Sequence, residues 1–599
     1  MEPLPDREWI CNGDPAYERR LRAMLESMPP IRDRADAGRC FDMLVADKLI
    51  QVEHLDTQPF RFFLCHELVA CHDLNLVFLM SAHFNLYAGT LLRLGSARHG
   101  DAMARADAGE VGCFALTEER HGVTSGLWID TTATYDRERG GFVLRSPAPR
   151  LRKFWITNAG YFARNAVVMA RLLAGGADHG LHGFWVPLRP AAGAPTFPGI
   201  SIEDVGEKTC LPSTDIAHIS FDDVFVPRDN LLDRYTRVDE RGEVDSELAG
   251  LRPHEQLERI ANQLLSGRAC IAGITIATAE KGLAVTVRHA RARTHQTGPD
   301  SSLSLWRHAS YRHQLIPLLA EAYVRRAFTS AVHRAYAQSV SKTEAELVRA
   351  ICAAKATNTS FARSTLAQCQ EMLGSAGLLR SEVIGDLHNA SFAALLIEGD
   401  SRVLLHKIAR DELRALRKGG IPRAMGRAIA TRLGRRALRD HTALGKLLEQ
   451  RALFQGMFLA RKLRKRRGAA ATAAWFEELE DEVLSYAQAV CDHLVWRNFD
   501  EQAAGRDLGV DRLFALRCIQ RDPSGFARFT TLRARHLARV PREIRRLCDA
   551  LEAQLDRLLP AQAPAEPAAD QPGVKTVDVN EFRRASALPA RPAFRRPTA

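Results

Sequence analysis

The sequence predicts a mainly α-helical protein with one small central β domain between helical regions. Residues 16–110 show helical periodicity, whereas residues 112–227 hold short apolar runs separated by glycine, proline and aspartate clusters. Long helical patterns resume from residue 254. The 599 residues exceed the roughly 250–300 at which a single hydrophobic core stops growing, so several domains are expected.

The N-terminal helical domain is predicted over residues 1–110. Leu21, Met24 and Leu25 recur at helical spacing, and the segment from Phe62 to Leu94 is long, apolar and free of proline. Helices rather than strands are therefore expected up to the first glycine-bounded run.

The β domain is predicted over residues 111–235. Its apolar runs have the length of strands, and they are 112–116, 142–145, 166–172, 183–186 and 217–221. The strands are expected to end near Pro227, where a polar connector over 229–247 begins.

Two further helical domains are predicted, a central bundle over residues 236–420 and a C-terminal domain over 421–560. The bundle has helical patterns at 254–295, 306–339 and 343–376, and the C-terminal domain has them at 475–498, 510–519 and 541–559. Residues 561–599 are rich in proline and alanine and are expected to form a disordered tail.

The composition is that of a globular protein, with 46% apolar and 26% charged residues. Twelve cysteines lack the dense spacing of a secreted disulfide framework, so reduced thiols are expected. The N-terminus has no signal-peptide pattern, no apolar run approaches 18 residues, and the last residues lack a peroxisomal ending. A cytoplasmic protein without a membrane span is expected.

The net charge of +12 leaves three classes of partner open: nucleic acid, an anionic membrane and a polyanionic small molecule. The basic runs 432–439 and 461–467 are interpreted as solvated faces, so no nucleic acid is expected. Cys65 and His72 could share one helix face, but no second cluster has zinc-ligand spacing, so no metal is expected.

Several motifs occur in an order that resembles the acyl-CoA oxidase family, within the acyl-CoA oxidase/acyl-CoA dehydrogenase superfamily. They are Cys113-Phe-Ala-Leu-Thr-Glu118 with His121-Gly122, Lys153-Phe-Trp-Ile-Thr-Asn158, the run 221–234, Gly374-Ser-Ala-Gly377 and Glu398-Gly-Asp400. The resemblance covers roughly residues 15–560. It implies an acyl-CoA dehydrogenase-like helical–β–helical architecture, with a small β-barrel at its centre and an extra C-terminal helical domain.

The resemblance implies that Glu398 is the catalytic base. A carbon–hydrogen bond next to a thioester carbonyl is a very weak acid, so its removal requires a carboxylate and donors that stabilise the enolate oxygen. Apolar neighbours at 393–397 and 403–405 could raise the pKa of Glu398 through burial. The alternative is a carboxylate that only interacts with a helix dipole.

The resemblance also implies an FAD site. Thr117 corresponds to the family threonine that contacts the flavin, while Trp155 and Thr157 stand where the dehydrogenases place a tryptophan against the ring and a hydroxyl near N5. Thr157 replaces the glycine common among oxidases. Gly374 and Gly377 resemble the glycine turn that approaches the adenosine portion, usually from a neighbouring subunit, so a homodimer is expected. Thr294 stands at the position of the arginine that binds the flavin pyrophosphate, and Arg291 or Arg293 could substitute, with Arg293 the preferred ligand. Thr297 and Ser375 also depart from the family pattern.

Three functional readings remain. The first is FAD-dependent oxidation of an acyl-CoA thioester to trans-2-enoyl-CoA, with electron transfer to O2 giving H2O2. The second is an acyl-CoA or acyl-carrier-protein dehydrogenase that passes electrons to an electron-transfer protein. Trp155 and Thr157 support this second hypothesis. The third is a degenerate, non-catalytic homologue. The departures from the family pattern at Thr294, Thr297 and Ser375 support this third hypothesis.

Overall fold

The computed structural model describes residues 4, 14–146, 151–261, 265–298, 301–342, 344–379, 383–419, 437–464, 466 and 468–559. Residues 561–599, for which a disordered tail is predicted, lie outside this part of the chain, as do residues 432–436 of the first basic run.

The N-terminal region is helical, as predicted. Its α-helices are α1 (Pro15–Ser27), α2 (Arg34–Ala46), α3 (His54–Thr57), α4 (Pro59–His72), α5 (Leu74–Ser81), α6 (Gly89–Leu94) and α7 (Gly100–Asp107), and a π-helix (Ala82–Ala88) joins α5 to α6. Aspartate side chains begin three of them: Asp14, Asp33 and Asp73 accept hydrogen bonds from the third residue beyond, at 2.9–3.1 Å.

The central β domain contains a curled six-stranded sheet and a three-stranded sheet around one hydrophobic core. The strands are β1 (Gly112–Ala115), β2 (Thr132–Asp136), β3 (Gly141–Arg145), β4 (Lys153–Thr157), β5 (Asn165–Ala174), β6 (Ala177–Pro187), β7 (Ile200–Asp204), β8 (Ile216–Phe221) and β9 (Val224–Pro227). The larger sheet has the order β1-β5-β2-β3-β9 with β6 on β5, and the smaller has β4-β8-β7. All five predicted apolar runs form strands.

The predicted polar connector also contains regular structure. The strands β10 (Thr236–Val238) and β11 (Val244–Ser246) form an antiparallel ribbon there. No apolar signal predicted this ribbon, because each strand has only three residues and, of the two strands, only β10 has buried positions.

The central helices are α8 (Pro253–Ala261), α9 (Leu265–Ala292), α10 (Ala309–Gln338), α11 (Ala345–Met372), α12 (Ile384–Leu396) and α13 (Ser401–Gly419). A hairpin of β12 (Thr294–Gly298) and β13 (Ser301–Ser304) separates α9 from α10, where the sequence predicted only a break. Of the described helices, α9 alone has the length and hydropathy of a membrane span, and 89% of its most apolar window is buried in the protein.

The C-terminal region is helical, as predicted. Its α-helices are α14 (His441–Leu463), α15 (Ala469–Ala473), α16 (Glu480–Gln502), α17 (Val510–Arg521), α18 (Pro523–Phe529), α19 (Ala534–Leu537), α20 (Val540–Glu552) and α21 (Leu555–Leu558). Buried residues of this region and of the central bundle belong to one continuous hydrophobic core, so the two regions pack directly on each other.

Candidate active site

Glu398 lies in a tight turn between α12, which ends at Leu396, and α13, which begins at Ser401. Glu398 and Gly399 both have left-handed backbone conformations, with φ of 55° and 94°. A residue with a Cβ atom tolerates this region at a cost of roughly 1–2 kcal/mol, and such strain concentrates at functional sites. The carboxylate that interacts with the start of α13 is that of Asp400, whose Oδ1 accepts a hydrogen bond from the Arg402 amide at 2.8 Å.

The first turn of α9 holds the Glu398 carboxyl group in place. A Cβ atom on Gly267 would lie less than 3.0 Å from all three carboxyl heavy atoms of Glu398. The absence of a side chain at Gly267 therefore leaves the space that the carboxylate occupies. The next residue, Arg268, donates from Nε to the Glu398 carbonyl oxygen at 3.0 Å. Lys355 of α11 donates to the Gly399 carbonyl oxygen at 2.7 Å.

Burial raises the pKa of the Glu398 carboxyl to about 7, although the Arg268 and Lys355 charges pull it down. The expected direction and its expected cause, burial, are thus both found. On the apolar flanks of the turn Leu404 is buried, whereas Leu396 and Val403 are 49% and 42% exposed, and contacts with α9 and α11 add to the burial. A carboxyl group with this pKa is ionised in a large fraction of molecules at neutral pH and still holds an accepted proton well, as a general base requires.

The three flavin residues predicted in the β domain lie together. Thr117 accepts a hydrogen bond at its carbonyl oxygen from the Phe154 amide at 2.8 Å, which brings it beside β4. A bulge between Lys153 and Ile156 gives Trp155 a φ of 61°, and its side chain is 50% exposed. Thr157 is partly exposed and Ile156 is buried, so Trp155 and Thr157 face outward from the sheet.

The helix α5 and the π-helix connect this cluster to the Glu398 end of α9. Asn158 donates to the Leu79 carbonyl oxygen at 3.0 Å, and in the π-helix Asn85 accepts a weak hydrogen bond from Cys270, 3.8 Å away. Cys270 lies one helical turn beyond Gly267. Asn85 also contacts His66 at 3.0 Å, and burial lowers the pKa of this histidine to about 4, so His66 is a neutral core residue.

Arg293, Gly374 and Gly377 lie at the other end of α9. Helices α9 and α11 run side by side in the same direction, because Asn358 donates to the Ala272 carbonyl oxygen at 3.2 Å and Leu366 packs on Gly282. Arg293 follows α9 and Gly374 follows α11, so both stand roughly 37 Å along the helix axis from Gly267. One chain therefore does not bring these three residues to Glu398.

The two predicted glycines, Gly374 and Gly377, differ in backbone conformation and in the space around them. Gly374 has a φ of 61°, and a Cβ atom there would face open space, so its conformation requires glycine while the surface above it is free. A Cβ atom on Gly377 would strike the Gln370 carbonyl, and Gln370 in turn donates to the Gly377 carbonyl oxygen at 2.9 Å. Arg293, Thr294 and Thr297 are exposed on the β12–β13 hairpin or next to it.

Among the described residues, one group has metal-ligating atoms within 4.8 Å of one another: Glu118, His121 and Asp130. The carboxylate of Glu118 is already neutralised by the buried Lys153 ammonium group at 3.0 Å. Glu118 also accepts the Asp130 and Thr131 amides at 2.7 and 2.9 Å. The ion pair between Glu118 and Lys153 therefore joins the loop after β1 to β4.

A cleft of about 670 Å³ opens between the β domain and α8. Its wall includes Arg120, Arg171 and the exposed side chain of Trp128. Leu257 of α8 packs against Gly126 on one side of the cleft. The residues that line the cleft include neither Glu398 nor the predicted flavin residues.

Comparison with known proteins identifies both central regions. The family model of the acyl-CoA dehydrogenase middle domain matches residues 113–224, and that of the acyl-CoA oxidase C-alpha1 domain matches residues 262–413. Residues 113–224 and 262–413 thus match two domains of the acyl-CoA oxidase/acyl-CoA dehydrogenase superfamily. Within this superfamily, the chain is 30% identical over 370 residues to a peroxisomal acyl-coenzyme A oxidase 2 of Arabidopsis thaliana. That alignment covers 59% of this chain and 53% of the relative, so the chain spans about half the length of the curated relatives it matches.

Solved structures of the superfamily confirm the predicted architecture. Acyl-CoA oxidase 1 of Yarrowia lipolytica superposes with a TM-score of 0.79 at 21% identity, covering 92% of this chain and 87% of its own. Acyl-CoA oxidase-1 of Caenorhabditis elegans, solved with FAD and ATP, gives 0.75 at 19% identity, covering 92% and 87%. The domain boundaries after residues 110, 235 and 420 and the roles of the site residues stay predictions.

Sequence reasoning missed Gly267, Arg268 and Lys355. Gly267 and Arg268 form a Gly-Arg pair at the start of a long apolar helix, where a glycine costs helix stability and needs a reason. Lys355 is a single lysine among alanines in Ala353-Ala-Lys-Ala356, inside a helix whose neighbouring positions are buried. A lone cation within a buried face is a usable signal, because a buried charge requires partners.

Proposed function

We propose that this protein oxidises the Cα–Cβ bond of an acyl-CoA thioester to trans-2-enoyl-CoA with FAD as cofactor and O2 as electron acceptor, giving H2O2. The observation that carries the proposal is the Glu398 carboxyl group, held in a strained turn against Gly267 with a pKa raised to about 7. The matches of residues 113–224 and 262–413 to domains of the superfamily support the reaction class, and the similarity to named acyl-CoA oxidases supports the oxidase.

In the proposed reaction, Glu398 removes the α proton of the thioester and holds it on its carboxyl group. Its strained turn fixes the carboxylate before substrate binds, so little reorganisation is needed when the proton moves. The Arg268 and Lys355 charges keep part of the carboxyl population ionised despite burial. Bound FAD would supply the acceptor for the β hydride and pass the electron pair to dioxygen.

The residues of the β-domain cluster fit a flavin ring. Trp155 offers a half-exposed indole, and Thr117 and Thr157 are partly exposed beside it. A flat ring with polar edges is bound in this way, by stacking and by hydroxyl hydrogen bonds. We therefore assign Thr117, Trp155 and Thr157 to the flavin ring, and Arg293, Gly374 and Gly377 to its pyrophosphate and adenosine portions.

This division of the flavin site supports a homodimer. Arg293 and the two glycines stand roughly 37 Å along α9 from the end that holds Glu398. They meet a catalytic Glu398 only if a second copy of the chain supplies them. The open surface above Gly374 is consistent with such an arrangement. A homodimer is thus the smallest unit with a complete site in this proposal.

The cleft beside α8 supports a nucleotide-bearing thioester as substrate. Its volume of about 670 Å³ is within the range of sites for cofactor-sized ligands. Arg120 and Arg171 carry guanidinium groups that can donate to phosphate, although each is paired with a carboxylate of the same cleft, Asp130 at 3.3 Å and Asp178 at 3.6 Å. Trp128 supplies an aromatic surface. The Arabidopsis thaliana relative is named as a peroxisomal oxidase, and we propose a cytoplasmic setting for this chain.

The proposed base is tested by Glu398→Gln. The amide has the same shape and cannot accept the α proton, so turnover should fall by about 10²–10⁴-fold while the protein keeps its fold and its flavin. Steady-state peroxide production with saturated acyl-CoA gives the rate, and the visible spectrum gives the flavin content. Near-normal turnover in this variant would remove Glu398 from its role.

A further inference from the structure

Lys355 is a fully buried lysine, with 0% of its surface exposed, in the middle of α11. Its ammonium group donates to three oxygen atoms: the Leu395 carbonyl at 3.1 Å, the Gly399 carbonyl at 2.7 Å and the Ser401 hydroxyl at 3.2 Å. An ammonium group has three N–H bonds, so each of them has a partner. All three acceptors lie within seven residues of chain.

These acceptors stand on both sides of Glu398. Leu395 is in the last turn of α12, Gly399 follows the base, and Ser401 is the first residue of α13. The carbonyl oxygen of Glu398 itself accepts from Arg268 at 3.0 Å. Two cations from two different helices therefore bind the carbonyl groups of the turn, which leaves the Glu398 side chain free to face Gly267.

We propose that Lys355 is the positioning residue for Glu398, because its ammonium group ties the end of α12 to the start of α13 and so holds the left-handed turn that presents the carboxylate. The inference rests on the proposed role of Glu398 as base. A left-handed conformation at a glutamate persists only when surrounding contacts fix it. Lys355 supplies three of these contacts through one side chain.

The same ammonium group acts on Glu398 through charge. The charged or titratable groups that face the pair are Arg268 and Cys270 of α9, Cys352 of α11, and Asp400 in the turn. Burial lowers the pKa of Lys355 to about 7, whereas Asp400 and Glu398 raise it. Loss of the Lys355 charge removes one of the two cations that lower the pKa of Glu398.

The inference is tested with Lys355→Met, which keeps the length of the side chain and removes the charge and all three donors. We expect kcat to fall at least about tenfold because the carboxylate is misplaced, with the KM for acyl-CoA within about twofold. The acidic limb of the kcat/KM pH profile should move up by about one pH unit. The titration of the Glu398 carboxyl group can also be followed without turnover, from infrared spectra of the protein from which those of Glu398→Gln are subtracted.

Two further variants separate positioning from folding. Lys355→Ala leaves space for the missing chain, and n-propylamine should restore part of kcat, which general destabilisation would not allow. Lys342→Met removes another buried lysine, which donates to the Tyr336 carbonyl oxygen, and should leave the Glu398 titration in place.

The outcomes distinguish this inference from the proposed function. If Glu398→Gln is inactive while Lys355→Met keeps the wild-type kcat and pH limb, the inference is overturned and the base assignment stands. If Glu398→Gln retains activity, the proposed function fails first. If Lys355→Met does not fold, Lys355→Gln replaces it: the uncharged amide has only two N–H donors for three acceptors, so a lowered kcat with a raised pH limb supports the inference, and a wild-type kcat with an unchanged pH limb contradicts it.

Discussion

A methyl group added at Gly267 should separate stability from catalysis. The Cβ atom of Gly267→Ala would lie less than 3.0 Å from the Glu398 carboxyl group, whereas contacts of this kind normally exceed about 3.4 Å, so the carboxylate must move by roughly 1 Å. The group that moves is the flexible end of a side chain, so the fold has little to lose. Alanine in place of helical glycine stabilises by about 0.5–1 kcal/mol.

We therefore expect Gly267→Ala to unfold at the same or a slightly higher temperature, while kcat falls by up to about 100-fold, the usual result of a 1 Å misplacement. Thermal unfolding and peroxide production measure the two quantities on the same preparation. Gly282→Ala is the matched control, since it lies in the same helix and displaces only the Leu366 side chain. Unchanged turnover in Gly267→Ala would refute the placement of the Glu398 carboxylate against α9.

Two other predictions concern assembly and pH. If the flavin site is completed across a dimer, a mixed preparation of Arg293→Ala and Glu398→Gln chains should regain up to about a quarter of wild-type activity, whereas no gain on mixing would contradict it. In the C-terminal region, burial lowers the pKa of His441, but its bonds to Asp511 and to Asp500, the latter at 2.6 Å, outweigh burial and raise the pKa to about 9. Because the folded value lies above the ordinary 6.5, these bonds stabilise the protein fully below pH 6.5, by up to about 3 kcal/mol, and the contribution is lost as the pH rises through about 9. Denaturant unfolding of His441→Asn should show a deficit that shrinks above pH 9, and a deficit constant with pH would contradict this assignment.

The fold was largely predictable from the sequence because its elements are long or strongly patterned. The strand run 166–172 is apolar apart from Arg171, and the helices α10 and α11 are 30 and 28 residues long. The β10–β11 ribbon and the β12–β13 hairpin were missed because each strand is three to five residues long and mostly polar. Short pairs of this kind are specified by turns and neighbours rather than by apolar alternation.

The site was predictable only in part. The motif around Glu398 singled out the proposed base, and burial raises its pKa as expected, but the contacts with α9 and α11, which are distant in sequence, could not be foreseen. Lys355 and Arg268 donate to backbone carbonyl groups of the turn, and such contacts leave no paired acidic residue for a sequence pattern to reveal. The separation of Arg293 from Glu398 likewise follows from the parallel packing of α9 and α11, which no local pattern specifies.

The visible spectrum of the purified protein tests the central claim most directly, with saturated acyl-CoA added first without air and then with air. A flavin spectrum should be present, the thioester should bleach it without air, and air should restore it with formation of hydrogen peroxide. Bleaching without recovery in air would contradict the oxidase and favour a dehydrogenase. A protein that stays colourless after reconstitution with FAD would contradict the flavoenzyme and favour a non-catalytic homologue.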